Sequence, residues 1–142
     1  IQSYNWFLYD KYRLKIIDYC CFLINKLLFL EDKQSEILNA YQGLLITMNN
    51  SSNYLVDLIK LELEILKSSG YQPDLSDSVV KKVLGDGLSI NANSYDELIN
   101  SLRIDQNLQK VFSDFMEKVM AKVLNNLNIN LPFSRSEIIK KN

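Results

Sequence analysis

A chain of 142 residues, 47% apolar and 23% charged, is long enough to bury a core of its own and has the balance of an ordinary globular domain. Lys plus Arg number 16 against 17 Asp plus Glu, so the net charge of −1 leaves no overall basic footprint for gripping phosphate backbones. The absence of histidine removes histidine-based acid–base chemistry, histidine triads and most zinc geometries, and four glycines and two prolines are too few for a turn-rich β-sandwich or barrel.

Residues 6–30 read as a first long helix, with Ile16, Ile17, Cys20, Leu23, Ile24, Leu27 and Leu28 recurring at helical spacing. The apolar run 19–30 within it is broken by Asn25 and Lys26 and is too short and polar to span a membrane. Cys20 and Cys21 are adjacent and project about 100° apart on a helix, which disfavours a mutual disulfide or a shared metal. They read as buried thiols of a reducing, cytoplasmic compartment. Tyr4, Trp6, Phe7, Tyr9, Tyr12 and Tyr19 interleave with Lys11, Arg13 and Lys15. Such a cluster suits a stacking platform for single strands or a face packed against another domain; the slight positive charge favours packing.

A polar break at 31–35 leads to a second helix reaching about Met48, with Ile37, Leu38, Tyr41, Leu44, Leu45 and Met48 on one face. Residues 49–53 form a polar turn in which Ser51 or Ser52 can cap the next helix. That helix, 54–68, is apolar except for a strip of Asp57, Lys60, Glu64 and Lys67, the pattern of a helix at the centre of a bundle. Glu62 falls inside its apolar arc. One reading is a perturbed carboxylate at a site; the other is a buried acid paired with an Arg or Lys of a neighbouring helix. No second catalytic candidate stands near Glu62 in sequence, which favours the structural pairing. Asp57 and Glu64 read as solvated partners of Lys60 and Lys67.

Gly70 and Pro73 terminate this helix. Residues 70–94 are irregular, with a short helix around Val79, Val80, Val83 and Leu84 and a turn at Gly85, Asp86 and Gly87. The stretch 86–97 lacks the glycine position and oxygen ligands of a calcium loop. A short helix over 96–102 enters from Ser94 with Glu97 at the capping-box position. A long helix over 105–127 is striped by Leu108, Val111, Phe112, Phe115, Val119, Val123 and Leu127; after Pro132 a last short helix starts at Ser134 with Glu137 three residues on. The expected architecture is all-α, one helical domain over 1–142, a bundle of about six helices around the central apolar helix 54–68. Arg135, Lys140 and Lys141 form a weakly basic, solvated helix end.

The segment Leu61, Glu62, Leu63, Ile65, Leu66, Gly70, Tyr71, Asp74 and Leu75 resembles the helical C-terminal region of the bacterial DNA repair protein family RecO, as does the order of helices before it and the closing LPFSRSEIIKK. Ser78 and Lys81 stand where that family carries a Cys-x-x-Cys half-site, so no zinc and no other cofactor is expected. The resemblance implies an upstream OB-fold barrel, absent from this chain, and a non-enzymatic role in DNA repair, the response to DNA damage and recombination. It implies partnership with a RecR-like protein and with the acidic, apolar tail of single-strand-binding protein, single-stranded DNA being bound weakly or through the missing domain. Lys11, Arg13, Lys15, Arg135 and Lys140 are the candidate cationic contacts. A free-standing helical adapter or immunity-type protein with no nucleic-acid role is the alternative; a small hydrolase would need an activated nucleophile that the sequence does not offer.

Overall fold

The computed structural model describes residues 11–27, 34–51, 53–73, 95–130 and 135. Their regular structure is entirely helical: α1 (Lys11–Leu27), α2 (Gln34–Asn50), α3 (Leu55–Ser69), α4 (Tyr95–Ile104) and α5 (Gln106–Asn126). The expected helix around Val79 lies outside the described residues. So does the helix from Ser134, apart from Arg135, which is helical.

α3 packs against each of the other four helices and carries the centre of the core. Leu58, Ile59, Leu61, Ile65 and Leu66 are fully buried; Lys60, Lys67 and Ser68 are exposed, and Glu64 and Ser69 are half-buried. At roughly 1.5–3 kcal/mol for each large apolar side chain removed from water, this helix is the principal hydrophobic contribution. α1 adds Ile16, Tyr19, Cys20, Leu23 and Leu27; α2 adds Ile37, Ala40, Leu44 and Met48.

The helix ends follow from local chemistry. α3 stops at Gly70, whose φ of 84° is left-handed; its N–H donates to the Lys67 carbonyl, and the Tyr71 N–H donates to the Leu66 carbonyl at 2.8 Å. A residue with a Cβ would be strained there. α5 closes the same way with Asn128 at φ 56°, while Ile129 donates to the Leu124 carbonyl and packs against the core. Asp105 caps α5 by accepting from the Leu108 N–H at 3.0 Å. Of the two serines expected to cap α3, Ser52 lies outside the described residues; Tyr54 precedes the helix without a side-chain cap, and the Ser51 hydroxyl accepts from Asn53 N–H.

Three face assignments are corrected. In α5 the buried seam is Leu108, Phe112, Met116, Met120, Val123 and Leu124, with Val111 exposed and Phe115 and Val119 at the margin. The seam also buries Gln109 and Ser113, so apolar residues alone point to the wrong face. Gln109 is buried because its amide donates to the Leu102 carbonyl at 2.7 Å, satisfying the end of α4. In α2, Leu38 is exposed and Ala40 takes a core position. Cys20 is buried but Cys21 is exposed, its sulfur 3.8 Å from the Tyr41 hydroxyl.

Candidate functional site

The densest polar cluster among the described residues lies inside the bundle. Glu62 has no exposed surface. Its carboxylate accepts from Arg135 twice, Nε to Oε2 at 2.7 Å and Nη2 to Oε1 at 2.8 Å, the side-on fork in which a guanidinium pairs best. The Tyr19 hydroxyl donates to Oε2 at 2.6 Å. Nη1 of Arg135 donates to the Ser113 carbonyl and hydroxyl at 2.9 and 3.0 Å. Arg135 itself is only 2% exposed. α1, α3 and α5 thus each contribute one side chain to a single hydrogen-bonded unit closed by residue 135.

Electrostatics follow the geometry. Burial pushes the Tyr19 phenol well above its usual range, and the Glu62 carboxylate pushes it further. Burial alone would weaken the Arg135 cation; the Glu62 carboxylate outweighs that effect and its proton is held more tightly than usual. The Cys20 thiol is raised by burial first and Glu62 second, so it is an inert core thiol.

The structure therefore supplies Glu62 with its cation from the far end of the chain. Arg135, expected on a solvated surface, is a core residue and offers nothing to an external partner. Tyr19, expected among interleaved aromatics, is likewise fully buried. Its placement was visible as an i+3 step from Ile16 on the α1 stripe. Ser113 gave no signal in sequence beyond its flanking by Phe112 and Phe115.

Asp57, expected to be solvated beside Lys60, is buried and pairs instead with Arg103 of α4 at 3.1 Å. Glu64 is half-buried, with Oε2 lacking a hydrogen-bond partner; Lys67 bridges to Glu36 of α2 at 3.7 Å. Arg13 caps the α2 terminus, its Nε donating to the Met48 carbonyl at 3.2 Å and its Nη2 to the Ser51 carbonyl at 3.3 Å, with its guanidinium 5.5 Å from the Tyr54 ring centroid. Both of these hydrogen bonds are made to the chain itself. Lys15 is half-buried and Lys11 opens α1; Lys140 lies outside the described residues. Of the motif residues, Leu61 and Leu63 are core, Gly70 is the left-handed terminator and Tyr71 is exposed, while Asp74 and Leu75 lie outside the described residues. Ser78 and Lys81 also lie outside them. Among the described residues no cluster of three or more Cys, Asp or Glu could hold a metal, and no helix is long and apolar enough to cross a membrane.

The fold and this unit define a helical bundle in which Tyr19, Glu62, Ser113 and Arg135 are consumed in holding helices together. Residues 8–111 match the family described as Recombination protein O C terminal, and the chain belongs to that family. Comparison with curated proteins and with solved structures gave no match.

Proposed function

We propose that this chain is a non-enzymatic, cytoplasmic protein-binding region of a recombination mediator in DNA repair, and that it docks the acidic, apolar tail of a single-strand-binding protein. Membership of the recombination protein O family is the observation that carries the reading. A surface of suitable chemistry supports it. Ile104 at the α4–α5 corner is 82% exposed and Val111 44% exposed, with Phe115 and Val119 continuing the strip at i+4 steps. Lys118 and Lys122 stand exposed beside it at the same spacing, and Lys110 flanks its start. An apolar strip edged by cations suits a peptide that ends in an aromatic and carries acids. With a net charge of −1, the chain neutralises few phosphates, so single-stranded DNA binding is weak and salt-sensitive. A RecR-like protein is the second partner in this reading.

Calorimetry with the tail peptide, against a scrambled control, tests it. The expected Kd is about micromolar, roughly −8 kcal/mol. The double charge reversal Lys118→Glu and Lys122→Glu is expected to abolish binding while leaving the helical circular dichroism intact. Tight DNA binding at physiological salt with no peptide binding would reverse the assignment.

A further inference from the structure

The polar groups facing Arg135 make a more specific site than an ion pair requires. A lone ammonium presents its three N–H donors from a single nitrogen and cannot meet acceptors set out for three coplanar nitrogens. Here both oxygens of Glu62 receive separate guanidinium nitrogens, at 2.7 and 2.8 Å, and a third nitrogen is held by two acceptors of Ser113. The Tyr19 hydroxyl fixes the carboxylate plane from the opposite helix. That is recognition of a planar, forked cation, which an ammonium cannot reproduce. Tyr19, Glu62 and Ser113 are set by α1, α3 and α5, all of which precede residue 135 in the chain, and Glu62 is 73 positions away from it. Glu117, one turn beyond Ser113 on α5, adds a further carboxylate whose field favours a cation at this place.

We propose that Tyr19, Glu62 and Ser113 form a built guanidinium receptor, filled in cis by Arg135, that clasps α1, α3 and α5 and accepts a free guanidinium when the Arg135 side chain is removed. The proposal concerns the interior and is independent of the tail-docking reading. In the intact protein Arg135 outcompetes any dissolved ligand because its own backbone tethers it, so the receptor shows itself only once that side chain is gone. A small planar cation binds such a site with a Kd of about millimolar, within the efficiency available to a handful of atoms. At about ten times its Kd, a ligand that binds only the folded state raises the folded-to-unfolded ratio about elevenfold.

The experiment is thermal unfolding of the full chain carrying Arg135→Ala, followed by circular dichroism, with ethylguanidinium or ethylammonium added. The unsubstituted protein serves as the control for general salt and denaturant effects. Ethylguanidinium is expected to raise the Tm of Arg135→Ala selectively, with no rise from ethylammonium and none in the control. If Arg135→Ala does not fold alone, the expected result is recovery of helical signal on adding ethylguanidinium and not on adding ethylammonium. Arg135→Lys is expected to recover only part of the lost Tm. The proposal is overturned if Arg135→Ala melts like the unsubstituted protein, or if the two cations act alike on it.

Discussion

Glu62→Ala is expected to be among the most damaging single substitutions available in this chain. The carboxylate accepts three hydrogen bonds with no access to water. Its removal leaves Ser113 as the one hydrogen-bond partner of the buried Arg135 guanidinium among the described residues, and breaking a buried pair in this way costs about 3–5 kcal/mol. The Tyr19 hydroxyl loses its acceptor as well, a penalty of about 1–3 kcal/mol that overlaps the first because both arise in one network. A total of about 4–5 kcal/mol is a large part of the roughly 5–15 kcal/mol that holds a domain folded. Urea unfolding followed by far-ultraviolet circular dichroism measures it. With a slope of about 2 kcal/mol per molar, the midpoint should fall by roughly 2 M.

Two companions locate the cause. Asp57→Asn breaks a pair whose arginine is 44% exposed, and should cost only about 1 kcal/mol. The double variant Glu62→Met with Arg135→Leu removes both charges and fills the space with apolar atoms, so it should recover most of the loss. A Glu62→Ala cost near that of Asp57→Asn, or a double variant no better than Glu62→Ala, would refute the account of Glu62 as one half of an obligatory buried pair.

Tyr19→Phe should cost about 1.5–3 kcal/mol at neutral pH, since it deletes a hydrogen bond to a charged acceptor. Its pH dependence has a definite sign. The folded state holds the Tyr19 proton above the ordinary tyrosine value, while the unfolded chain releases it near pH 10, so this contribution is whole below about pH 10 and fades as pH rises past it. The stability gap between Tyr19→Phe and the unsubstituted protein should therefore narrow in urea titrations above about pH 10, and a gap that stays constant there counts against a proton-holding Tyr19. Glu64 gives an effect at acid pH. Partial burial, then the neighbouring Glu36, raises its carboxyl above the usual value, so its folded-state advantage is present below the ordinary glutamate value of about 4 and is lost as pH rises through the folded value. Glu64→Gln should thus raise the Tm slightly near neutrality and lose that advantage near about pH 4; a lowered Tm at neutral pH would contradict it.

The helices were legible because they are amphipathic at a strict 3.6-residue period, and α3 was legible as central because almost nothing but apolar residues surrounds its axis. Glu62 stood out for the same reason: a charge inside an apolar arc needs a partner. What could not be read was which partner. Arg135 is 73 residues distant, and nothing local distinguishes an arginine that dives into a core from one that caps a surface helix. The α5 face was misread because three side chains broke the link between polarity and exposure. Gln109 and Ser113 are buried to satisfy a helix end and a guanidinium, while Val111 is left outside. Asp57 was misread likewise, since its cation sits on α4 and not one turn along its own helix.

The boundary of the family match and the boundary of the folding unit are different things in this chain. The match ends at residue 111, one and a half turns into α5. Beyond it, Phe112, Met116, Met120, Val123 and Leu124 are all buried in the shared core. Five such side chains represent about 10 kcal/mol of burial, as much as the net stability of a typical domain. Glu62 lies within the matched span, yet two of its network partners, Ser113 and Arg135, lie outside it. The matched helices thus present a buried carboxylate whose only ion-pair partner among the described residues is supplied from beyond them. Their sequence pattern identifies the family, but part of the energy that closes the bundle around that pattern comes from the residues that follow.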